Sequence, residues 1–164
     1  MPAMPNRWKP NVTVAAIMER DGRFLLVEEQ TRDGLKLNNP AGHLDPGESP
    51  QSACAREVLE ETAHEFMPTA LVGVYLNRFT KTGTQEDLTY LRFAFAGSVG
   101  AHHAGRALDT GIVRTVWMTG DEIRACPERH RSPLLLRSLE DYLAGQRFAL
   151  SLVNTDASVL HNGS

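Results

Sequence analysis

Cysteine is scarce, and the two present, Cys54 and Cys126, have no CxxC spacing and few histidines nearby. Neither a disulfide framework nor a zinc ribbon is available, and both read as reduced packing residues. Lysine occurs only at Lys9, Lys36 and Lys81, so the cations are almost all Arg. Arg suits bidentate phosphate binding, although a compositional bias of the genome accounts for the excess equally well. The formal net charge of −3 leaves no broad cationic surface for a polynucleotide backbone. No apolar run approaches the roughly 20 residues of a membrane helix, and Met1 to Pro10 lacks the apolar stretch of a secretion signal. A cytoplasmic protein that engages neither nucleic acid nor membrane is expected. The 164 residues, 41% hydrophobic and 23% charged, suit one globular domain over 1–164, with a short N-terminal extension to about residue 8 and a fraying tail from about 154.

Asn11 to Met18 is β-rich and stops before Asp21-Gly22, after which Arg23 to Val27 resumes the apolar pattern, a hairpin signal. A second turn at Asp33-Gly34 leads through Leu35 and Leu37 to Asn38-Asn39-Pro40-Ala41-Gly42, and the chain then reads as irregular to Ser49. Ser49-Pro50 has the form of an N-cap followed by proline at the first helical position, which predicts a helix over about 50–63. Ala70 to Arg78, Leu88 to Ala96 and Ile112 to Met118 read as strands, with a loop that includes Lys81-Thr82-Gly83-Thr84. Thr119-Gly120-Asp121-Glu122 is a capping box before a short helix. Ser132-Pro133 opens a longer helix ending near Gly145, with Leu135, Leu136, Leu139, Tyr142 and Leu143 as its apolar stripe. Strands interleaved with helices predict an α/β fold with a mixed sheet covered by helices.

The chemistry concentrates in Gly42-His43-Leu44-Asp45-Pro46-Gly47-Glu48, followed after seven residues by Arg56-Glu57-Val58-Leu59-Glu60-Glu61. At about 100° per helical residue, Glu60 lies about 60° to one side of Glu57 and Glu61 about 40° to the other. Three carboxylates thus share one face, an arrangement that repels itself unless a cation is present. Oxygen ligands suit Mg²⁺ or Mn²⁺ rather than zinc, and magnesium commonly bridges carboxylates to substrate phosphates. Arg56 can pair with Glu60 or orient Glu57, and Gly42 leaves room for a backbone carbonyl to approach the ion. Singly, each piece reads as a solvated acid, a surface ion pair or a turn glycine. Together, four Glu, one Gly and one Arg at fixed spacing would arise from this composition with a probability on the order of 10⁻⁵.

The segment resembles the signature of the Nudix hydrolases: Gly, five residues, Glu, seven residues, then Arg-Glu-apolar-any-Glu-Glu-any-Gly-apolar. Gly42, Glu48, Arg56, Glu57, Val58, Glu60 and Glu61 match, whereas Ala63 stands where the family has Gly and His64 where it has an apolar residue. The resemblance implies an α/β/α sandwich around a mixed sheet and divalent-metal hydrolysis of a nucleoside diphosphate linked to another group. It implies that Glu57, Glu60, Glu61 and the Gly42 carbonyl hold metal and that Glu57 is the base, with Glu48 bracing the loop. Trp8 to Ala15, Asn39 to Leu44, Leu91-Arg92-Phe93, Arg131 to Leu134 and Gly145-Gln146-Arg147 are similar to the NudJ-type phosphatases. That subgroup is implied to take nucleoside tri- and diphosphates toward monophosphates and to hydrolyse hydroxymethylpyrimidine pyrophosphate.

Glu86, Asp87 and Asp109 are candidates for a further acid, on loops at strand ends. Arg92, Arg147 and His43 are candidate substrate contacts, and Trp8, Tyr75, Tyr90 and Phe93 are aromatic residues that either stack on a base or fill the core. The alternatives are an ADP-ribose or dinucleotide polyphosphate pyrophosphatase and a non-catalytic nucleotide sensor. Retained carboxylates favour catalysis over sensing. Monomer and homodimer both remain open.

Overall fold

The computed structural model describes residues 6–80, 83 and 86–160. The termini at 1–5 and 161–164, and most of the loop read at Lys81-Thr82-Gly83-Thr84, lie outside the described residues. Strand β1 (Asn11–Ile17) is followed by β2 (Glu19–Arg20) and β3 (Arg23–Thr31), joined through Asp21 and Gly22. Both turn residues have positive φ, 53° and 77°, which is the backbone of a tight two-residue hairpin turn. Next come β4 (Gly34–Asn38), β5 (Ala41–His43) and helix α1 (Pro50–Thr62). Two long strands, β6 (His64–Thr80) and β7 (Asp87–His102), precede β8 (Ile112–Thr119), α2 (Gly120–Arg124), α3 (Pro133–Leu143) and α4 (Ala157–Leu160).

The mixed sheet flanked by helices is present as two four-stranded sheets. One has the order β5-β1-β7-β6, with β1 and β7 parallel and the other neighbours antiparallel. The other is built on β3, which pairs with β8 along one flank and with β2 and β4 along the opposite flank. Side chains alternate across the first sheet. Val14 and Ala16 of β1 and Phe95 of β7 join Ala53, Cys54 and Val58 of α1 in one buried cluster. Ile17, Ala94 and Ala96 join Leu135 and Leu139 of α3 in the other. The sheet is therefore clamped between α1 and α3, and each fully buried Leu or Val contributes roughly 2 kcal/mol. Leu143, at the end of the expected stripe, is instead 45% exposed.

Several boundaries differ from the sequence reading. The stretch between Asn38 and Ser49 is not wholly irregular, because Ala41–His43 pairs with β1 as a short edge strand. The strands expected over 70–78 and 88–96 run over 64–80 and 87–102, with the ladder carried past Pro68 and Gly73 by register shifts. Both cysteines are free, Cys54 buried and Cys126 half-buried. Among the described residues, no helix is long and apolar enough to cross a membrane.

Candidate active site

Helix α1 carries the acidic face, and both of its ends are fixed by local chemistry. Ser49 accepts from the Ser52 amide at 3.1 Å, and Pro50 occupies the first turn, where a missing N–H costs nothing. At the other end Ala63 is left-handed (φ 58°, ψ 21°) and its N–H donates to the Leu59 carbonyl. His64 explains why a polar ring is tolerated beside it. Its Nδ1 lies 3.0 Å from the Thr62 carbonyl, an acceptor only, so Nδ1 carries the proton. The ring is buried, stacks on His102 at 4.4 Å and meets Trp117 edge-on, and burial holds its pKa below the usual histidine range.

Arg56 is the hub of the face. Its Nε and Nη2 grip both oxygens of Glu48 at 3.0 and 2.8 Å, and Nη1 donates to Glu57 at 3.0 Å and to Glu60 at 3.1 Å. Nη2 also reaches the His43 carbonyl at 3.1 Å, which ties the motif loop to the helix. Glu48 accepts in addition from the Asp45 amide at 2.8 Å, and the Arg56 hydrogen bonds hold its carboxyl below the ordinary range. Gly42 lies directly under Glu57: a Cβ there would be 2.0 Å from the Glu57 carboxyl carbon. The glycine thus leaves the space that the carboxylate occupies.

Glu57, Glu60 and Asp109 offer oxygens that all lie within 4.8 Å of one another, the spacing at which one hard cation can be shared. Asp109 was one of three candidate acids, and the fold selects it because the segment 103–111 is docked on the end of α1. The His103 amide donates to the Ala63 carbonyl at 2.8 Å and the Asp109 amide to the Glu60 carbonyl at 3.0 Å, satisfying an acceptor that the helix terminus leaves unpaired. Asp87 lies elsewhere, in an ion pair with Arg78 on the exposed β6–β7 hairpin. Glu61 stands beside the cluster. One of its oxygens accepts from the Ala41 amide at 2.7 Å on edge strand β5, and burial pushes its pKa up to about 8, helped by the charges of Glu29, Glu57 and Asp109. Burial also raises Glu57, against the opposing pull of Arg56.

The NUDIX domain family model matches residues 7–138. The chain belongs to the Nudix hydrolases. It is 33% identical over 146 residues to the "Phosphatase NudJ" of Escherichia coli strain K12, covering 89% of this chain and 92% of that protein. A solved "NUDIX hydrolase from Nitrosomonas europaea" is 52% identical, with a TM-score of 0.84 over 90% of this chain and 98% of the other. A MutT NUDIX hydrolase from Burkholderia pseudomallei, 20% identical, shares the fold with a TM-score of 0.67 over 82% of this chain and 98% of its own. This Nudix hydrolase is thus an enzyme of acid anhydrides, in a family that acts with divalent metal ions.

The three candidate substrate contacts of this Nudix hydrolase fall in different places. Arg92 is 7% exposed, in the middle of β7, and among the described residues its guanidinium hydrogen-bonds to the amide oxygens of Asn38 and Asn39, each at 3.4 Å. These are long contacts for a charged donor, which ordinarily makes bonds of about 2.7–2.9 Å to ionised partners. Burial lowers its pKa to about 10, which leaves it charged at neutral pH, and Glu29 and Glu61 supply the nearby negative charge. His43 is exposed on β5, next to Gly42. Arg147 lies over the Tyr142 ring, 3.8 Å from its centroid, and donates to the Tyr142 and Gln146 carbonyls beyond α3. The buried amides Asn38 and Asn39 were missed as site residues, although two adjacent Asn before a proline, at the end of an apolar strand, were a signal. Glu29 was missed too; it pairs with Arg131 at 2.9 Å and burial raises its pKa.

Proposed function

We propose that this Nudix hydrolase cleaves phosphoanhydride bonds of small nucleotides, taking nucleoside tri- and diphosphates toward monophosphates, with Mg²⁺ or Mn²⁺ held by Glu57, Glu60 and Asp109. The observation that carries the reading is the convergence of oxygens from these three carboxylates within 4.8 Å of one another. Arg56 pairs with Glu57 and Glu60 but not with Asp109, so one guanidinium, shared with Glu48, leaves negative charge that a further cation would offset. The donors fit a hard divalent ion: all are carboxylate oxygens, and the absence of a side chain at Gly42 lets the Glu57 carboxylate take its place among them. Glu61 and the Gly42 carbonyl complete the set that the signature implies. When bound, such an ion offsets the negative oxygens that repel a nucleophile and makes a coordinated water more acidic.

The protein's own groups do the rest. Arg56 fixes one Glu57 oxygen and leaves the other to accept a proton from the attacking water. Glu48 orients Arg56 and so orients Glu57 through it. Arg92, buried and incompletely matched by neutral amides, offers its guanidinium to a phosphate.

The test is phosphate release with Mg²⁺ or Mn²⁺ over nucleoside tri- and diphosphates, ADP-ribose, dinucleotide polyphosphates and hydroxymethylpyrimidine pyrophosphate, beside Glu57→Gln and Glu60→Gln. Turnover of mononucleotides that disappears in both variants is expected. Activity confined to ADP-ribose or dinucleotides would overturn the substrate class, and metal binding without any turnover would mark a sensor.

A further inference from the structure

Two aromatic rings on the hairpin of β6 and β7 have no part in either buried cluster. Phe79 and Tyr90 stack in parallel, with centroids 5.4 Å apart and planes within 8°, and Phe79 is 42% exposed. The register places them on the face that also carries Arg92. Tyr90 is two residues from Arg92 along β7, and successive side chains of a strand alternate. His43 pairs through Thr13 with the Arg92 row, and its ring lies 6.2 Å from that of Tyr90. His43 and Gly42 are neighbours on β5 and so present opposite faces of the sheet, Gly42 towards Glu57 and His43 towards the aromatic rings, and because β5 is the edge strand the two surfaces meet around that edge.

The geometry points to Tyr90 and Phe79, with His43 at their margin, as the platform on which the base of a nucleoside di- or triphosphate stacks. This rests on the proposed nucleotide hydrolysis and adds the part of the substrate that the carboxylates do not touch. The span decides between ring-bearing substrates. Gly42 pairs with Val14 and Tyr90 with Asn11, so they are separated by two strand spacings and three positions, roughly 14 Å at about 4.8 Å between strands and about 3.3 Å per residue. A ribose and its phosphates cover such a distance, whereas a pyrimidine joined to pyrophosphate through one methylene is too short. Every base presents a π-face, so stacking recognises the class of substrate and leaves the choice of base to other contacts.

A cross-strand aromatic pair also stabilises its ladder, and the experiment has to separate that role from binding. KM would be measured for ATP, GTP, CTP and UTP in Tyr90→Leu, Phe79→Leu and Tyr90→Phe, together with the inhibition constant of inorganic tripolyphosphate, which has no ring. An increase of about tenfold in nucleotide KM is expected for each Leu variant, with Tyr90→Phe close to wild type and tripolyphosphate inhibition unchanged. Unchanged nucleotide KM in both Leu variants overturns the platform, and so does an equal loss of tripolyphosphate binding. If the wild-type protein turns over none of the nucleotides, the reading of the reaction fails separately. Equilibrium dialysis of ATP with Mn²⁺ then tests the platform alone, with the same ranking of variants expected and an equal Kd in all four proteins overturning it.

Discussion

Arg56 donates to Glu48, Glu57, Glu60 and the His43 carbonyl, and only a guanidinium has the donors to do so at fixed angles. Arg56→Lys keeps the charge and loses the geometry. We expect kcat to fall about 10- to 100-fold with far-UV circular dichroism unchanged, as when the groups that orient metal ligands are removed. Gly42→Ala isolates a different step. The added methyl would stand 2.0 Å from the Glu57 carboxyl carbon, and a side-chain end can move aside more cheaply than backbone. Stability should therefore change little while Mn²⁺ affinity, followed by calorimetric titration, falls at least tenfold. An unchanged affinity would separate Glu57 from the metal. At this scale the sequence was informative about which residue types mattered, because the signature places Glu57, Glu60 and Arg56 on one helix. It offered Asp109 only as one of three candidate acids and could not choose among them, because its membership depends on two backbone hydrogen bonds from a loop about fifty residues away. Phe79 was missed for another reason: the expected strand ended at Arg78, one residue short.

Helix α1 was legible because its start is written in Ser49 and Pro50 and its interior lacks breakers. Its end was the doubtful feature, and the left-handed Ala63 shows how the departure from glycine is absorbed. The conformation costs Ala roughly 1 kcal/mol, while the buried methyl returns about 0.8 kcal/mol. Ala63→Gly is accordingly expected to shift the unfolding free energy by less than about 1 kcal/mol in urea titration. Ala63→Val, branched and overpacked at positive φ, should cost roughly 2–4 kcal/mol. Strand β5 was not legible for a physical reason. Ala41, Gly42 and His43 have no β-rich pattern of their own, and their extended form comes from the pairing of Val14 with Gly42. Likewise β6 runs through Pro68 and Gly73, residues that locally signal a break, because the long partner β7 holds the register on either side.

For the whole molecule, the carboxylates set how stability depends on pH. Glu61 has a folded pKa of about 8 against an ordinary value near 4.5, so between these limits the folded state binds more protons than the unfolded state. The contribution of this group falls as pH rises through that window, by up to about 1.4 kcal/mol per unit. Glu28 and Glu48 work in the other direction: their arginine partners lower both pKa values, and their stabilisation is lost as pH drops below the ordinary carboxylate range. Metal-free protein should therefore be less stable at pH 8 than at pH 6 in urea titration, and Glu61→Gln should flatten that slope. Divalent cation should raise the melting temperature more at pH 8, where fewer protons compete for the ligands. The docking of 103–111 onto α1 also means that fraying of the last helical turn and dispersal of the acids are one event. The amide that donates to Glu60 belongs to Asp109 itself, so its hydrogen–deuterium exchange rate reports how often the cluster comes apart, in the resting protein and with no substrate present.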